Sequence, residues 1–269
     1  MTMIIDTHVH VVADDHARYP LQPSVATNPW YETHPCSGPA LRVLMAEAGV
    51  DAAVLVQGVG AYGYDNTYTL DAAAADPGVF TPVVCTDRQA VEAVATVRAL
   101  VDRGARGYRW FCVHDDPRVT EPRAVWDALA ALAVPVVVTI LPDGLDAFAS
   151  VATAYPGIPF AVDHCAFVDL SRGIPDALGA LDRFRNVVLK VSTHALHTAA
   201  AGGDPADAVA ALAARFADRL MWGSDWSQTH HVPYPDIVEE GRQAAAKCTD
   251  DQRAAYLAGT ALTLWPELG

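Results

Sequence analysis

Short apolar runs rich in β-branched residues recur along the chain, and each is followed by an alanine-rich stretch with apolar positions every three or four residues. The runs are typical of buried strands and the stretches of amphipathic helices. The predicted strands are residues 3–10, 51–57, 79–85, 105–111, 135–141, 158–164, 187–193 and 219–225. The predicted helices are residues 40–49, 67–76, 88–103, 121–133, 144–155, 174–184, 205–217 and 235–247.

The spacing of these units indicates how they are arranged. From the second strand onward, successive strands begin 23 to 32 residues apart, which fits one strand, one helix and two short loops. Eight such units close a barrel of parallel strands. The sequence therefore predicts an α/β protein with a (β/α)8 TIM barrel fold, built as a single domain over residues 1–269.

Two segments fall outside the eight units. Residues 11–39 form an insertion after the first strand that holds five prolines together with Trp30 and Tyr31. A long aperiodic insertion at the end of a barrel strand is typical of a lid or binding loop, and a passive surface loop is the alternative. Residues 250–264 predict a last helix that packs on the outside of the barrel.

The end of the first strand carries two histidines, His8 and His10. Active sites of such barrels lie at the carboxyl ends of the strands, and side chains two positions apart share one face of a strand. Both imidazoles are therefore expected to point into the barrel mouth, where they could hold one divalent ion or polarise one oxygen.

Two further strand ends carry groups of the same kind. His164 follows the apolar run of the sixth strand, and Asp225 ends the eighth. A carboxylate at the mouth could orient or deprotonate a water molecule. The structural alternatives are a buried histidine without function and a carboxylate that caps a helix, but Pro233 and Pro235 place the start of the eighth helix well downstream of Asp225.

Binding groups for a substrate are predicted on the fourth strand and after the eighth. Arg109 lies near the mouth, where its guanidinium could bind a substrate carboxylate through two hydrogen bonds; an ordinary salt bridge is the alternative. His230 lies on a loop that could overhang the site. Further polar residues near strand ends are Gln57, Asp87, Thr139, Lys190 and Ser192, while His194, His197 and His231 have no role that the pattern assigns.

Composition narrows the classes of partner. Asp and Glu number 32 against 18 Lys and Arg, a formal net charge of −14, so nucleic acids and anionic membranes are not expected partners. The start lacks a basic segment followed by an apolar one, and no stretch of about 18 apolar residues occurs, which predicts a cytoplasmic protein. The five cysteines contain no Cys-x-x-Cys pair, which argues against a disulfide framework and a cysteine zinc site.

The motifs together resemble the amidohydrolase superfamily, over essentially the whole chain. They are Asp6-Thr7-His8-Val9-His10, Asp163-His164 and Trp222-Gly223-Ser224-Asp225-Trp226. The amidohydrolase-2 group, with 2-pyrone-4,6-dicarboxylate lactonase and sugar lactonases, is the most similar branch. The resemblance implies that His8, His10 and His164 are site histidines and that Asp225 is the catalytic acid/base.

The chain departs from the metal-dependent members of that superfamily at one place. Many of them carry a further metal ligand, a Lys or His, at the end of strand four or five, whereas Thr139 stands on strand five here. A two-metal site is therefore not expected. His8, His10, His164 and Asp225 could still hold one zinc-like ion, with His8, His10 and Asp225 as its main ligands, and catalysis without a metal stays open.

These observations lead to one hypothesis and two alternatives. The hypothesis is a hydrolase for a small carboxylated cyclic ester, or a related carboxylic derivative, in which water activated by Asp225 attacks a carbonyl polarised by the histidines. The first alternative is a metal-dependent non-oxidative decarboxylase of an unsaturated or aromatic acid. The second is a non-catalytic barrel that binds a small ligand. The expected partner is a small carboxylate, and the sequence leaves a homo-oligomer open.

Overall fold

The structure, a computed structural model, describes residues 2–23, 29–113 and 122–269. Eight parallel strands form one sheet in sequence order. They are β1 (Ile5–Val9), β2 (Ala52–Val56), β3 (Phe80–Val84), β4 (Gly107–Cys112), β5 (Val136–Ile140), β6 (Phe160–Val162), β7 (Val187–Ser192) and β8 (Leu220–Gly223). Each strand lies within a predicted strand or overlaps one in sequence. The predicted (β/α)8 TIM barrel is confirmed.

Helices follow the strands around the barrel. They are α1 (Trp30–Thr33), α2 (Gly38–Ala48), α3 (Val59–Tyr62), α4 (Thr67–Ala75), α5 (Ala93–Asp102), α6 (Arg123–Leu132), α7 (Leu145–Ala154), α8 (Asp176–Gly179), α9 (Thr193–Ala200), α10 (Pro205–Phe216), α11 (Tyr234–Ala244), α12 (Asp250–Ala254) and α13 (Thr260–Leu264). Within the described ranges, no helix combines the length and apolar character needed to cross a bilayer.

The helix predictions were correct for the long elements and incomplete for the short ones. The helix predicted at 174–184 is divided into α8 and a 3-10 segment, Ala180–Arg183. The short helices α1 and α3 and the eight-residue α9 were not predicted, because one or two turns give too few repeats to show a period. Residue 121, the first of the helix predicted at 121–133, lies outside the described residues.

The barrel closes where β1 meets β8, and this seam runs into the predicted site. The backbone N–H of His10 donates to the carbonyl of Trp226 at 2.6 Å, and that of Asp225 donates to the carbonyl of His8 at 2.9 Å. The main chain itself therefore brings Asp225 to His8 and His10, although Asp225 is more than 200 residues from both histidines in sequence.

Side chains of β1 complete the seam below the site. The Thr7 hydroxyl donates to the carbonyl of Trp222 at 2.6 Å, and Asp6 Oδ1 accepts the N–H of Ser224 at 2.8 Å. The Tyr234 hydroxyl donates to the other oxygen of Asp6 at 3.1 Å. The Asp-Thr pair that precedes His8 thus serves to close the barrel.

The C-terminal segment occupies the opposite end of the barrel. Strand residues such as Ile5, Val54 and Met221 form one apolar cluster with Trp265 and Leu268. The helix predicted at 250–264 is present as α12, a π-helical turn and α13. It leads Trp265 and Leu268 beneath the barrel, where they cover apolar strand residues that would otherwise contact water.

Candidate active site

A small cavity opens at the carboxyl ends of the strands. Its volume is about 130 Å³. The lining residues are His10, Trp30, Gly58, Val59, Gly60, Arg109, Phe111, Val113, Thr139, His164, Phe167 and Gln228. This is the position at which barrels of this class carry their chemistry. Two larger surface grooves lie elsewhere and contain none of the predicted site residues.

Three predicted residues converge beside the cavity. His8 Nε2 lies 3.6 Å from Asp225 Oδ1, and His10 Nε2 lies 3.5 Å from the same oxygen. The two imidazole centroids are 5.0 Å apart with their planes nearly perpendicular. All three side chains are buried, so this group is held away from bulk water.

The hydrogen bonds of Nδ1 in His8 and His10 indicate which ring nitrogen carries the lone pair. His10 Nδ1 lies 2.8 Å from the carbonyl of Val56, which can only accept, and His8 Nδ1 lies 3.1 Å from the carboxylate of Asp163. In the neutral rings both Nδ1 atoms donate to these oxygens, which leaves lone pairs on both Nε2 atoms. These lone pairs face Asp225 Oδ1, which is also an acceptor.

This arrangement fits a divalent cation. His8 Nε2 and Asp225 Oδ1 are buried and have no hydrogen-bond partner among the described residues, and a buried polar atom normally has one. Two ligands at the usual zinc distance on a tetrahedral ion lie about 3.4 Å apart, close to the spacing of these atoms. The set of two imidazoles and one carboxylate, His8, His10 and Asp225, is one that zinc accepts.

Close approach of β8 to β1 depends on Gly223. A Cβ atom at this position would lie 2.8 Å from Cβ of His8 and 3.0 Å from its backbone nitrogen, closer than side chains tolerate. Asp225 then turns back toward His8 with a left-handed φ of 62°. Burial opposes ionisation of Asp225, whereas the positive charge that His164, His10 and His8 carry when protonated favours it, and the balance holds the pKa of Asp225 below the usual range. The carboxyl group is therefore ionised at neutral pH.

A second carboxylate, Asp163, lies on the other side of His8. Besides His8 Nδ1, its Oδ1 is 3.2 Å from Lys190 Nζ, and its Oδ2 accepts the hydroxyl of Thr139 at 2.7 Å. Burial would raise the pKa of Asp163, but His8 and Lys190 hold it well below the usual range. Burial lowers the pKa of His8 to about 3, against the effect of Asp163, so the imidazole is neutral at pH 7.

His164 reaches the site through an unusual turn. Residues 164–167 all have φ between 50° and 56°, a left-handed run that L-residues rarely adopt. The ring of His164 lies 4.8 Å from that of His8, and its Nδ1 is 2.8 Å from the hydroxyl of Ser192. Burial lowers the pKa of His164. Consecutive left-handed residues cost energy, and such backbone often occurs at functional sites.

Among the described residues that line the cavity, Arg109 carries the cationic side chain. Its Nη1 donates to the carbonyl of Gln57 at 2.7 Å, and its Nε donates to Thr139 Oγ1 at 3.1 Å. The guanidinium lies over the ring of Phe111, with Cζ 4.9 Å from the centroid. No described residue is bonded to Nη2, and carboxylate binding by Arg109 stays a prediction.

The inserted segment contributes a cover over His10. The ring of Trp30, in α1, lies 5.4 Å from that of His10, and Trp30 is buried. The same side chain packs on Gly58, so it bridges the ends of β1 and β2. Residues 24–28 of the segment predicted at 11–39 lie outside the described residues.

The other histidines in the described part of the chain do not line the cavity. The ring of His230, predicted as a substrate-binding residue, stacks on that of His34 at 3.8 Å and is not among the described residues that line the cavity. His194 packs at 5.3 Å on Phe167 from α9. His197, also in α9, lies 3.1 Å from Glu240 and beside His231.

The sequence pattern assigns no individual role to Asp163 and predicts Thr139 and Lys190 as secondary candidates. The signal available for all three was a polar residue at the carboxyl end of an apolar strand. Lys190 in particular is fully buried, which is rare for lysine unless it is paired. Asp87, a candidate of the same rank, accepts the N–H of Gln89 in an exposed turn instead.

Comparison with known protein families identifies the family of this barrel. A family model described as amidohydrolase matches residues 5–266. The chain belongs to the amidohydrolase family. The resemblance noted from the motifs is thereby confirmed, and the protein is an enzyme of the amidohydrolase superfamily.

Solved structures similar to this amidohydrolase cover nearly its whole length. A candidate 2-pyrone-4,6-dicarboxylic acid hydrolase from Pseudomonas putida is 26% identical, covers 99% of this chain and 98% of its own, and has a TM-score of 0.80. An amidohydrolase from Burkholderia multivorans, solved with bound zinc, is 20% identical over 98% and 99%, with a TM-score of 0.76. 5-Carboxyvanillate decarboxylase from Sphingomonas paucimobilis is 13% identical over 99% and 100%, with a TM-score of 0.69. The last two show the shared fold alone.

Proposed function

We propose that this amidohydrolase hydrolyses a small carboxylated lactone or a related carboxylic derivative. The observation that carries the proposal is the convergence of His8 Nε2, His10 Nε2 and Asp225 Oδ1 beside a cavity that also exposes Arg109. The similarity to a candidate 2-pyrone-4,6-dicarboxylic acid hydrolase supports a cyclic carboxylated ester as the substrate class.

Asp225 acts as the general base in this proposal. Its ionised carboxylate takes a proton from a water molecule as the water oxygen attacks the ring carbonyl. The bond between the carbonyl carbon and the ring oxygen then breaks, and the leaving oxygen takes up the proton that Asp225 holds. The product is an open-chain hydroxy acid.

The three histidines surround one side of the site. The Nε2 atoms of His8 and His10 present lone pairs, so these two rings would act on the carbonyl oxygen through a bound cation rather than by donating hydrogen bonds to it. His8, His10 and Asp225 would hold one zinc-like ion. When bound, such an ion supplies Lewis acidity for the carbonyl and lowers the pKa of water.

Arg109 orients the substrate. Its guanidinium is fixed by the carbonyl of Gln57 and the hydroxyl of Thr139, so its Nη2 presents a preset hydrogen-bond donor to a carboxylate. Trp30 and Phe167 provide flat apolar walls on which a planar ring can pack.

A panel of carboxylated lactones, read by pH indicator with purified enzyme, tests the proposal. Wild-type enzyme is expected to turn over a member of the panel, and Asp225→Asn is expected to lower kcat by about 10²- to 10⁴-fold. Elemental analysis before and after chelation establishes whether zinc accompanies that activity. Release of CO2 from an unsaturated acid without lactone turnover would favour a decarboxylase, and ligand binding without any turnover would favour a non-catalytic barrel.

A further inference from the structure

The hydroxyl of Thr139 joins two parts of the site that have different roles. It donates to Asp163 Oδ2 at 2.7 Å and accepts Nε–H of Arg109 at 3.1 Å. A hydroxyl carries a single proton, and both the carboxylate and the guanidinium have fixed hydrogen-bonding character. The direction of both bonds is therefore determined.

Each neighbour of Thr139 leads to a functional group. Asp163 Oδ1 accepts Nδ1–H of His8, and the same ring presents Nε2 toward Asp225. Arg109 leads to the cavity. Three consecutive hydrogen bonds, from Arg109 through Thr139 and Asp163 to His8, thus connect the carboxylate-recognition group with the imidazole beside the reacting centre.

Packing does not account for a threonine at this position. The other residues of β5 are Val136, Val137, Val138 and Ile140, all fully buried. A valine has nearly the shape of threonine and would continue the apolar strand, but it would leave Asp163 Oδ2 and Arg109 Nε without this partner. Leaving buried polar atoms unpaired is costly.

We propose that Thr139 is a positioning residue that holds Arg109 and the Asp163–His8 pair in one fixed arrangement. Through Arg109 it sets where the carboxylate of a substrate lies, and through Asp163 it sets the orientation of the His8 ring. The first half rests on the proposed function, in which Arg109 binds a carboxylate. The second half depends only on the hydrogen bonds of the protein.

The matched variants are Thr139→Val, Thr139→Ser and Thr260→Val. Serine keeps the hydroxyl, whereas valine keeps the shape and removes it. Thr260, in α13 and away from the cavity, is a suitable control. It is a buried threonine whose hydroxyl donates to the carbonyl of Asp218. All variants are compared at equal thermal stability by choosing the assay temperature relative to each Tm.

Three measurements follow on the same proteins. The Nε–H signal of Arg109 in the ligand-free protein is observed by NMR and assigned with Arg109→Lys. Zinc affinity is measured by competition with a chromophoric chelator, and benzoate serves as the probe for carboxylate binding. Thr139→Val is expected to shift the Arg109 signal and to speed its hydrogen exchange. The affinities for zinc and for benzoate should each fall by about 10-fold or more, as happens when a hydrogen-bond partner of a metal ligand is removed. Thr139→Ser and Thr260→Val should stay within about 3-fold of wild type.

The outcomes separate the inference from the proposed function. An unchanged Arg109 signal together with unchanged zinc affinity in Thr139→Val would overturn the inference. Equal losses in Thr139→Ser and Thr139→Val would overturn it too, because the hydroxyl would then not be the determining group. If wild type fails to bind benzoate, the role of Arg109 in the proposed function is wrong, and the signal and zinc measurements still decide the inference.

Discussion

The two nitrogens of the His8 imidazole face regions of opposite character. On the Nδ1 side, Asp163 receives hydrogen bonds from His8 and Thr139 and lies 3.2 Å from Lys190. On the Nε2 side, His8 Nε2 and Asp225 Oδ1 have no hydrogen-bond partner among the described residues, and His10 Nε2 lies 3.5 Å from that oxygen. The polar groups on the Nδ1 side all have partners, whereas those on the Nε2 side do not.

This difference separates a supporting region from a reacting one. Within the described residues, two groups have the spacing of metal ligands: His8 with Asp163 and His164, and His8 with His10 and Asp225. In the first group Lys190 Nζ already lies 3.2 Å from Asp163; burial lowers the pKa of Lys190, Asp163 opposes that effect, and the positive charge of this pair would repel a further cation. The second group has no such charge, which is why we assign the proposed ion to the Nε2 side.

Among these variants, removal of Lys190 should lower the stability of the region on the Nδ1 side of His8 most. Lys190→Met keeps the length of the side chain but leaves the buried Asp163 carboxylate without its cation. Breaking a buried ion pair in this way costs about 3–5 kcal/mol, so the free energy of unfolding measured with urea should fall by that amount.

Lys247 provides the matched control, because the chain has just two lysines. It is half-exposed and pairs with Asp204 and Asp207 on the surface. Lys247→Met should leave the denaturation midpoint nearly unchanged, since exposed ion pairs contribute little. A Lys190→Met protein as stable as wild type would show that Asp163 is not held by this charge.

The two carboxylates next to His8 offer a second test. In protein freed of metal with a chelator, Asp163→Asn should lower the free energy of unfolding by about 3 kcal/mol or more, because the buried Lys190 loses its counterion. Asp225→Asn should change it by less than about 0.5 kcal/mol or raise it, because Oδ1 accepts no hydrogen bond and an amide could donate to the facing imidazoles. Thermal or urea denaturation of both variants measures the contrast. Equal losses would mean that the two sides of His8 do not differ.

Much of this arrangement could be predicted from the sequence because it follows from periodicity. The β-branched runs gave all eight strands, and barrel geometry then placed His8, His10, His164, Arg109 and Asp225 at one end. Period-two alternation correctly put His8 and His10 on the same side. These predictions need only local pattern and one global rule.

The hydrogen-bond partners could not be predicted in the same way. That Asp163 meets Lys190 and Thr139 depends on three strands and on the left-handed turn after β6, which no propensity indicates. The stacking of His230 on His34 likewise depends on the path of two loops. Loop paths are set by tertiary contacts that leave no periodic signal in the chain.

The smallest expected effect concerns pH and the neutral His8 ring. Because burial lowers the pKa of His8 to about 3, the unfolded chain takes up a proton at this residue near pH 6.5 while the folded protein does not. Protons then favour the unfolded state, so the contribution of His8 to stability is lost as pH falls below 6.5. Between pH 7.5 and 5.5 this amounts to about 1.4 kcal/mol. Urea denaturation of metal-free wild type and His8→Asn at both values tests the prediction: the variant should show a shallower decrease, and an identical decrease would mean that the His8 ring accepts a proton in the folded protein as readily as in the unfolded chain.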